Sequence, residues 1–109
     1  MAVTNTDDHL RNHAFLLAEN GWKLSPLFDV NPVPYGDELS LLVDDTDNTI
    51  SIPLAISVAP RFGITEVKAK QYAEDILQVV KNNWERMAKE NGLSRGQIEN
   101  MRPAFATFL

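Results

Sequence analysis

Side chains that can bind a hard cation are concentrated at the start of the chain. Asp7 and Asn12 lie five residues apart, and Asp29 follows within the first 29 residues. Carboxylate and amide oxygens are ligands of Mg²⁺, which usually takes one or two from the protein and leaves its other positions to water and phosphate. The residue types therefore predict a Mg²⁺ site, provided that a local fold brings Asn12 and Asp29 together.

A β-hairpin is the element predicted to do this. Two short apolar runs flank Asn20-Gly21, and Asn-Gly is the strongest two-residue signal for a type I′ turn. With that turn, Phe15 faces Pro26 and Asn12 faces Asp29, and facing residues lie about 4.5–5.5 Å apart. The hairpin is thus expected to set an amide and a carboxylate side by side at its open end.

The order of these residues matches a known catalytic arrangement. Protein kinases place a base aspartate in a catalytic loop, an asparagine on Mg²⁺ a few residues later and a metal-binding aspartate after a hairpin. Here Asp7 and Asn12 have the spacing D-x₄-N, and Asp29 follows Phe28 after the predicted hairpin. The pattern indicates a site for phosphoryl transfer.

The surrounding sequence is more specific. NTDDHLRNH at residues 5–13 and WKLSPLFDVNP at residues 22–32 closely resemble the C-terminal lobe of HipA-like serine/threonine kinases, which are the toxins of bacterial toxin–antitoxin pairs. Residues 45–48, residues 54–60 and the two closing helices are similar as well. The resemblance implies an enzyme that uses ATP and Mg²⁺ to phosphorylate a serine or threonine of a protein substrate and is restrained by a DNA-binding antitoxin. The absence of cysteine suits a cytoplasmic location.

The resemblance also implies roles for individual residues. Asp7 becomes the base that orients the substrate hydroxyl, and Asn12 and Asp29 become the metal ligands. The residues that line the phosphate and base sides of ATP are His9, Arg11 and Phe28.

One departure from the family is large. HipA-like kinases have an N-terminal lobe with a phosphate-covering loop and a lysine, and nothing comparable precedes Gly21, the first glycine. Phosphoryl transfer depends on positioning and charge stabilisation. We therefore expect negligible activity from this chain alone and expect an N-terminal lobe, its own or that of another chain, as a partner. The alternative is a non-catalytic helical module that binds an antitoxin or another protein.

Simpler interpretations compete for the same residues. Asp7 and Asp8 suit the cap and first turn of a short helix, and Asp29 suits an Asx turn. His9 and His13 have a spacing that would place both on one face of a helix as zinc ligands, but no third ligand is assigned.

The rest of the chain predicts a mainly α, α+β fold in a single domain over residues 1–109. Residues 1–36 hold the catalytic-loop hairpin and residues 37–109 are mainly helical. The predicted elements are a strand at 39–43 that pairs with 50–52, a turn at 44–48, a helix from Pro53, a long helix between Thr65 and Asn91, a last helix after Ser94 and a docked tail of Ala104, Phe105 and Phe108.

The composition of the chain argues against two classes of partner, nucleic acids and membranes. The net charge is −5, there is no cysteine, and no apolar run is long enough to cross a membrane. Direct nucleic-acid binding through clustered cations is not expected, and neither is membrane insertion. An open nucleotide cleft would expose Leu10, Leu27 and Phe28, so we expect self-association, for example as a homodimer.

Overall fold

The computed structural model describes residues 1–106 and confirms the α+β class. Phe108, predicted to belong to the docked tail, lies outside the described residues. In chain order the elements are β1 (Phe15–Ala18), β2 (Gly21–Leu24), α1 (Ile52–Val58), α2 (Glu66–Glu90), α3 (Arg95–Met101) and α4 (Pro103–Ala106), with 3-10 helices at Leu10–Asn12 and Ala59–Phe62.

The predicted hairpin forms with a different turn and register. Phe15 pairs with Leu24 and Ala18 with Gly21, so the loop is Glu19-Asn20 and the predicted pairing of Phe15 with Pro26 is wrong. Gly21 has a φ of 112°, whereas neither loop residue has a positive φ, so the turn is not type I′. The observed register leaves Pro26, which has no N–H to donate, outside the ladder.

The predicted strand pair at 39–43 and 50–52 is wrong. Pairing in this segment is reduced to an isolated bridge between Glu38 and Thr49, and Ile52 begins α1 instead. The turn at 44–48 is confirmed: Asp44 accepts backbone hydrogen bonds from Thr46 and Asp47 at 2.8 and 2.7 Å. Local side-chain bonds of this kind compete with a strand ladder for the same backbone groups.

The helices α2 and α3 begin at the capping residues that the sequence predicts, and α2 ends before its predicted stop residue. Thr65 caps α2 by accepting the N–H of Lys68, and Gly92 lies beyond the last turn with a φ of 82°. Ser94 and Gln97 form a complete capping box at the start of α3. No helix within residues 1–106 has the length and apolar character needed to cross a bilayer.

The last three helices are held together by a cluster of side chains. Trp84 of α2 stacks on Phe105 of α4 with ring centroids 4.4 Å apart, and the guanidinium of Arg102 lies 5.3 Å from the Trp84 ring. Arg102 also pairs with Glu85 and Glu99. The predicted docking of the tail is thus confirmed for Phe105.

The apolar core is small. Its buried members are Ile50, Val58, Ala59, Ile98 and Ala104. No residue of α2 is buried, and Tyr72 and Met87 on its apolar face are each 53% exposed. The apolar stripe of α2 is therefore wider than the surface that the described chain offers to cover it.

The accessible surface and the radius of gyration also indicate that the chain is loosely packed. Its accessible surface is 7910 Å², whereas a compact monomer of this mass exposes about 6,100 Å². The radius of gyration is 15.4 Å, against about 13 Å for a compact domain of this length. The chain is thus less compact than a typical domain of its length, and many large apolar side chains within residues 1–106 are exposed.

Candidate functional site

The base of the hairpin brings together the two predicted metal ligands. Asn12 ends the 3-10 helix before β1, and Asp29 lies in the loop after β2. The side-chain N–H of Asn12 donates to Asp29 Oδ2 at 3.1 Å, and Asn12 is buried while Asp29 is exposed. The two residues meet beyond the strand ladder and are not the facing pair that the predicted register required.

Asp29 has an unusual backbone. Its φ of 55° is the only positive value at a non-glycine residue within residues 1–106. This left-handed conformation costs about 1–2 kcal/mol in most residues and is best tolerated by Asp and Asn. The other carboxylate oxygen accepts the side-chain amide of Asn31 at 2.8 Å, so two amides orient the carboxylate. Strain at an exposed polar loop is typical of functional sites.

Asp7 is exposed in a turn just before the 3-10 helix. In the described chain no hydrogen bond joins it to Asn12 or Asp29. Neither Asp7 nor Asp8 caps the 3-10 helix, because His9 occupies the N-cap position. Asp7 therefore has an accessible carboxylate, and its role as base stays a prediction.

The two histidines have different surroundings. His13 Nε2 lies 3.0 and 3.2 Å from the two carboxylate oxygens of Asp8. His9 has a buried ring nitrogen, Nδ1, without a hydrogen-bond partner in residues 1–106. A buried polar atom of this kind is normally satisfied by water, an ion or a ligand, so the surroundings of His9 are incomplete in the chain by itself.

The predicted exposure of three apolar side chains near the start of the chain is confirmed. Leu10 is 77%, Leu27 74% and Phe28 44% exposed, and Arg11 is exposed beside them. Exposed large apolar side chains mark an interface or a ligand site when they form a contiguous patch.

The hairpin adds an apolar face that the sequence reasoning missed. Phe15, Leu17, Trp22 and Leu24 lie on one face and are 58–71% exposed. Neither strand contacts any helix of the described chain. The signal was present as apolar residues at every second position of both strands.

A backbone link to α4 was also missed. The N–H of Thr4 donates to the carbonyl of Ala104 at 2.9 Å, and the carbonyl of Thr4 accepts the N–H of Val33 at 2.6 Å. Thr4 is 2% and Ala104 0% exposed. The segments before Asp7 and after Asp29 are thereby joined to each other and to the last described helix.

The side chains at the candidate site fit Mg²⁺ better than Zn²⁺. Within residues 1–106 no group of three histidine or acidic side chains is arranged to hold a metal ion, which disfavours a zinc site. Mg²⁺ requires fewer protein ligands, since water and phosphate oxygens complete its shell. The amide oxygen of Asn12, which the bond to Asp29 leaves unused, and the Asp29 carboxylate suit that ion.

A comparison with protein families gives one match. The model of the HipA-like C-terminal domain matches residues 1–84, which include the hairpin, the candidate site and most of α2. Residues 85–109, with α3 and α4, lie outside the matched range, so the similarity of the closing helices stays a prediction. No curated protein and no solved structure matches the chain.

Proposed function

The chain belongs to the HipA-like C-terminal domain family, and on that premise we propose that it is the Mg²⁺- and ATP-binding half of a serine/threonine protein kinase. The observation that carries the proposal is the 3.1 Å contact between Asn12 and Asp29, with Asp29 held in a strained backbone conformation. Two separate loops converge on one pair of oxygen-bearing side chains, in the order that a kinase site uses.

Each site residue has a role in this proposal. Asp7 orients the hydroxyl of a serine or threonine substrate and accepts its proton. Asn12 and Asp29 hold Mg²⁺, which neutralises phosphate charge when bound. Arg11 pairs with the phosphates through its exposed guanidinium. His9 and Phe28 contact the nucleotide, which would provide a partner for the orphaned His9 nitrogen.

A second lobe completes the site in this proposal. The exposed Leu10, Leu27 and Phe28 form the surface that such a lobe would cover. The chain has no glycine-rich loop of the kind that covers phosphates in kinases. The lobe, a protein substrate and a DNA-binding antitoxin are accordingly the proposed partners, and the chain alone is expected to bind nucleotide weakly without turning it over.

Metal binding can be tested on the chain as it is. Mn²⁺ is titrated into ¹⁵N-labelled protein with and without ATP, and the paramagnetic broadening of amide signals is followed. Broadening centred on Asn12 and Asp29 and strengthened by ATP is expected. The matched variant Asp29→Asn keeps the size and the backbone preference of the residue but removes the charge, and should abolish it.

The acidic turn at Asp44 to Asp47 provides an internal control. It should collect Mn²⁺ weakly and without any response to ATP. Equal broadening at this turn and at Asn12 and Asp29, or broadening unchanged by Asp29→Asn, would contradict the proposed metal site.

Catalysis requires a reconstituted site. The chain is combined with the N-terminal lobe of a HipA-like kinase, and transfer of labelled phosphate from ATP to protein is measured. Asp7→Asn should remove the transfer, by a factor of about 10²–10⁴ for a lost acid–base group. The control Asp8→Asn changes the neighbouring carboxylate, which pairs with His13, and should retain it. Equal loss in both variants would argue against Asp7 as the base.

One observation favours a second function, protein binding by the helices. An apolar groove of about 420 Å³ lies between α1, the 3-10 helix at Ala59–Phe62 and α2, and its lining includes Ile56, Tyr72 and Ile76. A DNA-binding antitoxin of a HipA-like pair is the natural probe. Weaker binding in Ile76→Glu but not in the double variant Asp7→Asn/Asp29→Asn would support this function, and the reverse pattern would refute it.

A further inference from the structure

The outer edge of β1 is open. The N–H of Ser25 donates to the carbonyl of Ala14 at 2.8 Å, next to the pair of Phe15 with Leu24. Hydrogen-bonded and non-hydrogen-bonded pairs alternate in an antiparallel ladder. Phe15 and Leu17 are therefore non-hydrogen-bonded positions of the hairpin, and their backbone N–H and C=O groups point to the free edge. No helix of the described chain lies against this edge.

The residues along this edge are arranged symmetrically. Residues 14–18 read Ala-Phe-Leu-Leu-Ala, with small residues at both ends and large apolar residues on either side of Leu16. An unprotected edge without charge, proline or glycine is a template for another strand. The edge of β2 is different, because Gly21 and Lys23 interrupt it, and self-pairing about Lys23 would oppose two like charges.

We propose that a second copy of this chain pairs with the first along β1, antiparallel and centred on Leu16. Phe15 of each copy then faces Leu17 of the other, and the outward backbone groups of both residues form the hydrogen bonds. The result is a continuous four-stranded sheet in the order β2, β1, β1 and β2. Two-fold symmetry with a self-complementary patch is the commonest form of homodimer.

The pairing buries Phe15, Leu16 and Leu17 of both copies, which are 46–71% exposed in one copy. An interface of this extent is at the small end of the known range, below about 1,200 Å², so the dimer is weak and depends on concentration. It uses the edge of the hairpin rather than the apolar face or the polar loops at its base. The inference is therefore independent of the proposed kinase function.

Sedimentation equilibrium over a hundredfold range of concentration tests the dimer. The wild-type chain should shift from monomer to dimer, and Leu16→Glu should remain monomeric because two carboxylates would face each other across the axis. Within one hairpin the same glutamate faces Lys23, so the variant keeps or strengthens the hairpin itself. The matched control Leu10→Glu changes a leucine that is 77% exposed away from the edge and should still dimerise.

Three results would overturn the proposal. The first is a wild-type chain that stays monomeric over the whole range. The second is equal loss of the dimer in Leu16→Glu and Leu10→Glu. The third is a dimer lost in Leu24→Glu but kept in Leu16→Glu, which would indicate packing through the apolar face instead.

Cross-linking provides a second, positional test, since the chain has no native cysteine. In the proposed pairing the two Leu16 residues form a non-hydrogen-bonded pair with Cα atoms about 4.5 Å apart, within reach of a disulfide. Leu16→Cys should form a covalent dimer on mild oxidation. Lys23→Cys, which lies on the same face but on the outer strands, should not. Equal cross-linking of the two variants, or none in Leu16→Cys, would contradict the pairing.

Discussion

α2 is capped at its start and clamped to α3 and α4 by an aromatic stack and an arginine network, whereas β1 and β2 contact no helix of the described chain. An isolated two-stranded hairpin is marginally stable in water. The helices of the helical region, residues 52–106, are therefore stabilised by contacts among themselves, whereas among the elements of the described chain the two strands of the hairpin region, residues 5–31, contact only each other.

The helical region and the hairpin region also differ in how their polar side chains are paired. In the helical region Glu85 pairs with Lys89 one turn away and with Arg102 across the helices, and Glu99 pairs with Arg102. In the hairpin region Asp7 and Arg11 are exposed, and His9 has an orphaned ring nitrogen. Regions of low local stability are where ligand-binding loops are normally found.

The largest effect is expected from the small core. Ile98 is 3% exposed, and Ile98→Ala should lower the free energy of unfolding by about 2–4 kcal/mol through lost burial and a cavity. Leu27→Ala, at a residue that is 74% exposed, should change it by less than about 0.5 kcal/mol. Urea denaturation followed by far-UV circular dichroism measures both. Similar losses would mean that the hairpin region is as well packed as the helices.

Glycine replacements should have opposite signs in the two regions. Gly21 has a φ of 112°, so Gly21→Ala should destabilise the hairpin by about 1–3 kcal/mol through backbone strain. Gly96 lies in α3 without positive φ and with open space around it, so Gly96→Ala should stabilise the helices by about 0.5–1 kcal/mol. Amide hydrogen exchange, read separately for each region, distinguishes the two effects. A global loss of protection in Gly21→Ala would show that the hairpin and the helices unfold together.

Loss of a helix cap should have a smaller effect. Ser94 is the N-cap of α3 and accepts the N–H of Gln97, and Ser94→Ala should cost about 1 kcal/mol. The midpoint of thermal unfolding measures this loss of stability. The control Ser40→Ala alters a serine that donates to the carbonyl of Thr6 in a loop. A greater loss in Ser40→Ala than in Ser94→Ala would show that the loop hydrogen bond contributes more to stability than the cap of α3.

The smallest effect concerns pH. The hydrogen bond from Lys89 lowers the pKa of Glu85, and that from Arg102 lowers the pKa of Glu99, below the ordinary value of 4.5. Because the folded pKa values lie below the unfolded ones, this stabilisation is present above about pH 4.5 and is lost as pH falls through the folded values. Thermal melts between pH 6 and 3 should show a falling midpoint, with a shallower fall in Arg102→Gln. An unchanged slope would contradict these pairings.

The sequence predicted the helices well because their signals are local. The caps at Thr65 and Ser94 and the stop at Gly92 each depend on neighbours within a few residues. The hairpin register was harder to predict, since it depends on which residue takes a positive φ and on the missing N–H of Pro26. The exposure of Tyr72 was not predictable, because periodicity identifies an apolar face but not what covers it.

The candidate site was predicted only in part, because some of its geometry depends on residues that are distant in the sequence. The positions of Asn12 and Asp29 around the hairpin predict that they meet, although the observed register differs from the predicted one. The link from Thr4 to Ala104 had no signal in the local sequence, because it joins residues that are a hundred positions apart.

The hydrogen bond from Thr4 to Ala104 determines how far the chain can be truncated. The family match ends at Trp84, yet the carbonyl that holds Thr4 belongs to Ala104. A piece trimmed to the matched range would keep every candidate ligand but lose the hydrogen bond that ties the segment before Asp7 to α4. Deletions, fusions and tags designed for this chain should therefore treat α4 as part of the functional unit.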